Sequence, residues 1–127
     1  MLALVISATV GIGGGVAVAA GVTPIAGLHA GRWEVHEIGV RGAAKSLCVA
    51  DPSAFLQWRH WQMACARFPL RSDGRSMTVQ YTCPGAGHGM TTIMVEDQQI
   101  VRIQTQGIAG GQPFDLDLEA RRTGSCS

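Results

Sequence analysis

From residue 31 onward, apolar and polar side chains alternate in short runs separated by glycine, proline and aspartate. Period-two runs bounded by turn residues read as strands with one face in a core and the other in water. The cleanest run, PFDLDLEA at 113–120, sets Phe114, Leu116, Leu118 and Ala120 on one side and Asp115, Asp117 and Glu119 on the other. A first strand opens at Gly31-Arg32-Trp33, with Trp33, Val35 and Glu37 on one side and Glu34, His36 and Ile38 on the other. A second, shorter strand over 44–49 carries Cys48, and TTIMVE pairs with QIVRIQT around Asp97-Gln98. A glycine-rich turn, PGAGHG, precedes that pair and IAGGQ follows it.

Residues 65–83, CARFPLRSDGRSMTVQYTC, form the hairpin that organises the rest. Asp73-Gly74 between alternating runs predicts a two-residue type I′ turn, which needs positive φ at both positions. In that register Leu70 faces Met77, Phe68 faces Val79 and Ala66 faces Tyr81. Cys83 then points with Tyr81 and Cys65 points to the other face, so a direct Cys65–Cys83 bridge is disfavoured unless a bulge intervenes. One segment breaks the period-two pattern. Asp51 can cap a helix with Pro52 in its first turn, and Phe55, Trp58, Leu56 and Trp61 fall at helical spacings. Its expected role is to plug one end of the sheet, with packed core preferred over an aromatic ligand box at Trp58 and Trp61. The fold class is therefore all-β: an antiparallel meander of about seven strands curled into a barrel or bent sheet, with one short helix after the second strand.

The 127 residues fit one domain, and ten basic against nine acidic side chains give a formal net charge of +1. With no basic cluster to track a phosphate backbone, nucleic acid is excluded as a main partner. All the charge lies beyond the first 31 residues. The apolar run MLALVISATVGIGGGVAVAA ends in small residues and reads as a signal peptide over 1–20, although a basic leader is missing. A membrane anchor is long enough but is weakened by Gly11, Gly13, Gly14 and Gly15; a buried core segment is the third reading. The chain then divides into the signal peptide, a flexible leader over 21–30 and a disulfide-stapled β domain over 31–127. A membrane contact is expected only if the N-terminal segment stays uncleaved.

Cys48, Cys65, Cys83 and Cys126 all lie in the exported part, an even number that reads as two disulfides. No C-x2-C knuckle supports zinc. Parity along the strands favours Cys83–Cys126, with Cys48–Cys65 stapling the helical loop, provided that no bulge interrupts. No nucleophile elbow, zinc helix, phosphate loop or dinucleotide fingerprint is present. His29, His36, His60 and His88 are scattered, and the acidic row Asp115, Asp117 and Glu119 is explained by a solvated strand face. No catalytic or metal residue and no cofactor is expected.

The ordered set of Gly31-x-Trp33, Leu47-Cys48-Val49 with Asp51-Pro52, the 65–83 hairpin, His-Gly-Met at 88–90 and the closing Arg-Thr-Gly-Ser-Cys at 122–126 resembles the DUF3617 domain family of exported bacterial proteins. The resemblance spans residues 31–126. This chain departs from it in the short link between the first strand and Cys48, where family members often carry a longer, Met-rich insert. The resemblance implies a periplasmic or secreted location and four structural cysteines, and it carries over no catalytic residue. The expected function is that of a non-enzymatic envelope protein. Its concave face would hold a lipid-like ligand on Trp33, Phe68, Tyr81 and Phe114, or it would meet an envelope protein partner. The alternatives are a structural or interaction domain without a pocket, and an enzyme accessory using His88.

Overall fold

The computed structural model describes Gly11, Gly13 and residues 24–126. The expected signal peptide and the first three leader residues otherwise lie outside the described residues. Within the remaining leader, η1 (Pro24–Gly27) is a 3-10 turn, and Leu28 beyond it is buried in the core. No helix among the described residues is long and apolar enough to cross a membrane.

Seven strands follow: β1 (Gly31–Glu37), β2 (Lys45–Val49), β3 (Ala66–Ser72), β4 (Ser76–Cys83), β5 (Gly87–Asp97), β6 (Ile100–Ala109) and β7 (Gln112–Gly124). They make one antiparallel sheet in the order β2-β1-β7-β6-β5-β4-β3. The meander runs from β3 to β7; β1 then pairs with β7, and β2 lies outside β1. The expected all-β class with seven strands is what forms, but the barrel does not close, because β2 and β3 occupy opposite edges. Both edges resist further pairing. β2 is short, and β3 carries Pro69, two arginines and a bulge.

The alternation behaves as expected on the long strands. Met77, Val79, Tyr81 and Cys83 of β4 are buried, as are Phe114, Leu118 and Ala120 of β7, while Asp115 is exposed. Between β2 and β3, η2 (Pro52–His60) carries the chain from one sheet edge to the other and packs against β4, β5 and β6. It is a 3-10 helix broken by a non-helical Gln57 (φ −134°, ψ 53°), a shape that apolar spacing alone does not encode. Its start follows the sequence: Asp51 accepts the Ser53 N–H at 2.9 Å and Pro52 sits in the first turn. That hydrogen bond holds the Asp51 carboxyl below its ordinary value. Phe55 and Leu56 point into the sheet and join Trp33, Val35, Ile93 and Ile103 in the core.

Two bulges overturn the expected disulfides. The bridges are Cys65–Cys83 and Cys48–Cys126. In the first hairpin neither Asp73 nor Gly74 has positive φ, so the type I′ turn expected there is absent. The loop is instead closed by Asp73, whose N–H donates to the Ser76 oxygen while its carboxylate accepts from the N–H of Arg75 and of Ser76. Ser72 consequently pairs with Met77, and a bulge at Leu70 shifts the rest so that Pro69 pairs with Val79 and Ala66 with Thr82. One extra residue reverses the parity. Cys65 and Cys83 become neighbours across the ladder. A second bulge, between Arg32/Gly124 and Trp33/Arg122, turns the end of β7 over and leaves Cys126 exposed beside Cys48 of β2. The turn with two positive φ values is Gly110-Gly111, the two-residue loop between β6 and β7.

Candidate functional site

The four residues expected to line a concave pocket separate. Trp33 is fully buried, packs edge-on against Phe55 at 5.2 Å and donates its indole N–H to the His29 oxygen. Phe68 is 56% exposed, because the Leu70 bulge pairs it with Gln80 and turns it to the outer face. It takes no part in the interior. Only Tyr81 and Phe114 meet a common neighbour, and that neighbour is His60. The inner face is filled by η2 rather than open, so these three inward-facing aromatics are core.

His60 anchors a buried polar network that the scattered histidines of the sequence do not announce. Its ring stands edge-on to Tyr81 with centroids 5.3 Å apart, and it is 1% exposed. Nε2 lies 3.0 Å from the Ala86 oxygen and Nδ1 lies 2.9 Å from the Tyr81 hydroxyl. A carbonyl oxygen can only accept, so the proton sits on Nε2, and Nδ1 accepts the Tyr81 O–H. Thr91 and Thr105, both buried on the same face of the sheet, lie 2.8 Å apart. Burial pushes the Tyr81 phenol above its ordinary value of 10.0.

The space for this cluster comes from glycine. Gly89 and Gly107 lie in register between Tyr81 and Phe114, and a Cβ on Gly89 would stand 2.5 Å from the Tyr81 hydroxyl oxygen. Gly89 and Gly107 are therefore the sequence signals of this close approach. Gln57 completes the anchor. Its amide donates to the His60 and Met63 oxygens at 2.7 and 2.8 Å, and its oxygen accepts from Nε–H and one Nη2–H of Arg67. Every hydrogen-bonding position of that buried amide is used. The left-handed Gln62 (φ 61°) curls the chain back so that one side chain can reach both carbonyls. No buried side-chain nitrogen or oxygen among the described residues lacks a partner.

The other expected candidates stand apart. His88 is exposed on the outer face of β5, where it pairs with Thr82 and Ile108. In the acidic row, Asp117 takes two hydrogen bonds from Arg102, which hold its carboxyl below the ordinary value, and Glu119 lies 3.6 Å from Arg121. Among the described residues, no three histidine, cysteine or acidic side chains gather as metal ligands.

A different surface retains open aromatic area. Trp58 and Trp61, on the flank of η2 turned away from His60, are half-buried and stand edge to face with centroids 5.4 Å apart. With Lys45 and Leu47 of β2 and with Arg59 they line a cleft of about 600 Å3. Lys45 Nζ lies 5.9 Å from the Trp58 ring centre, and the Arg59 guanidinium rests 5.7 Å from that of Phe114. Helical spacing identifies the two tryptophans; that β2 supplies the opposite wall follows only from the sheet order. Comparison of the chain with protein-family models, with curated proteins and with solved structures returns no match.

Proposed function

We propose that this chain is an exported, non-enzymatic binding domain of the bacterial envelope, related to the DUF3617 family, and that it binds at the cleft between β2 and η2. The two disulfides point to an oxidising, extracytoplasmic compartment. A periplasmic or secreted location and the family assignment rest further on the ordered motifs of residues 31–126. The observation that carries the binding reading is a contrast: large side chains fill the interior, while the indoles of Trp58 in η2 and Trp61 just beyond its end keep open surface beside a cationic rim. Half-open aromatics next to polar groups are the usual composition of a ligand site.

The test uses the full chain, expressed for export and purified with both bridges formed. Fractionated envelope extract containing the ligand or partner raises its melting temperature through preferential binding to the native state. Trp58→Ala combined with Trp61→Ala removes that rise while leaving the disulfides and circular dichroism intact. A melting temperature unmoved by every fraction, or moved equally in the variant, contradicts the reading and leaves a purely structural domain.

A further inference from the structure

The cleft beside η2 combines two surfaces that suit opposite ends of one molecule. Trp58 and Trp61 cross at 81°, forming an apolar corner. Phe55 stands fully buried behind both rings, with centroids 6.5 and 6.0 Å away. The corner is therefore ordered before anything binds, which lowers the entropy lost on binding. Leu47 of β2 adds apolar surface opposite.

The rim is cationic. Lys45 and Arg59 line the cleft and no acidic side chain does. The ion pairs among the described residues are Arg102–Asp117 and Arg121–Glu119, so neither rim cation is neutralised by a carboxylate. Unpaired positive charge beside low-dielectric ring surface attracts a negative group. The volume, about 600 Å3, lies within the range of small-molecule sites. Both indoles lean on the core rather than project from the surface, a geometry suited to a molecule that enters the cleft.

We propose that the cleft between β2 and η2 binds an anionic amphiphile taken up as a monomer. Its carboxylate or phosphate head would meet Lys45 and Arg59, and its apolar body would lie against Trp58, Trp61 and Leu47. The proposal rests on the same cleft being the binding site of the domain and adds the chemistry of the occupant.

Tryptophan emission of the disulfide-intact full chain, titrated below micelle-forming concentrations, tests it. Laurate and dodecyl phosphate supply the two candidate heads; dodecanol and dodecyltrimethylammonium supply the same tail with a neutral or a cationic head. At least one anionic probe saturates the signal and binds about tenfold or more tighter than the cationic one. The tighter of the two identifies the head group. Lys45→Glu with Arg59→Glu weakens that probe by about tenfold, and added salt weakens it in the wild type. Lys45→Gln with Arg59→Gln gives a smaller loss in the same direction and serves if the charge reversal disturbs the fold. Equal binding of the cationic probe, or unchanged binding in both double variants, overturns the proposal. So does binding to phosphatidylglycerol vesicles without binding to any monomer, which would make the cleft a membrane contact. If the envelope-extract shift persists while neither anionic probe binds, the ligand class is wrong and the cleft stands. If both are absent, the cleft itself is wrong.

Discussion

On one flank of η2, Gln57 and His60 are sealed against β3, β4 and the 84–86 turn, with every polar atom matched. On the other, Trp58 and Trp61 lean on the same Phe55 yet keep open surface toward β2. A disulfide serves each flank. Cys65–Cys83 closes the hairpin next to the His60 network, and Cys48–Cys126 ties the β2 wall of the cleft to the end of the chain. The difference teaches where a filled β domain can bind. A half-satisfied buried network would be worse than an apolar core, so the closed flank offers a ligand nothing to pair with. The open flank offers accessible aromatic surface without disturbing the core.

The comparison breaks most visibly at the bridges. Cys48 and Cys126 are 78 residues apart and Cys65 and Cys83 only 18, so the first restrains the unfolded chain more. Cys48→Ser with Cys126→Ser should cost about 4–5 kcal/mol in urea unfolding against about 3 kcal/mol for the other pair. It should also weaken ligand binding, because β2 loses its tether.

A smaller effect is expected from Tyr81→Phe, which leaves His60 Nδ1 without a donor and costs about 1–3 kcal/mol. The closed flank also predicts a pH limit. The Tyr81 phenol is held above 10.0 in the fold, so the unfolded chain loses its proton first as the pH rises. The stability that neutral Tyr81 contributes is complete below 10.0 and falls away above it. Tyr81 is the chain's one tyrosine, so phenolate absorbance should rise together with unfolding. Phenolate appearing while the near-ultraviolet dichroism stays native would show that the ring is not sealed.

Smallest is Lys45→Ala on the open flank. Its stability should stay within about 0.5 kcal/mol of wild type, as for an exposed side chain, while binding of the anionic probe falls. A stability loss as large as that of Tyr81→Phe would place Lys45 in the fold rather than in the site.

Much of the sheet was legible in the sequence because side-chain alternation and burial share a period of two. The inward row Phe114, Leu118 and Ala120 and the capping pair Asp51-Pro52 follow from that and from local chemistry. Parity, however, is carried along a strand only as far as the first extra residue. The bulges at Leu70 and at the end of β7 leave no clear mark in composition, and between them they reversed Phe68, Cys65 and Cys126. The turn at Asp73 failed for a related reason. Asp-Gly is the residue pair of a type I′ loop, but an aspartate carboxylate capping two following N–H groups favours a longer one. The candidate site was barely visible: spacing sets Trp58 and Trp61 apart, but packed core was the preferred role for both, and Lys45 reaches them only because β2 and β3 are parted to opposite edges with η2 between them.

The central claim is that the interior is closed and the open surface lies on η2, and the chain's three tryptophans report on both. Fluorine NMR of the fluorotryptophan-labelled, oxidised protein, assigned with single Trp→Phe variants, follows all three during titration with laurate or dodecyl phosphate, whichever binds tighter. The account predicts that the Trp58 and Trp61 resonances move together to saturation while Trp33, fully buried against Phe55, holds still. A Trp33 resonance that moves as far as the other two, or moves alone, would put the ligand inside the sheet and contradict it.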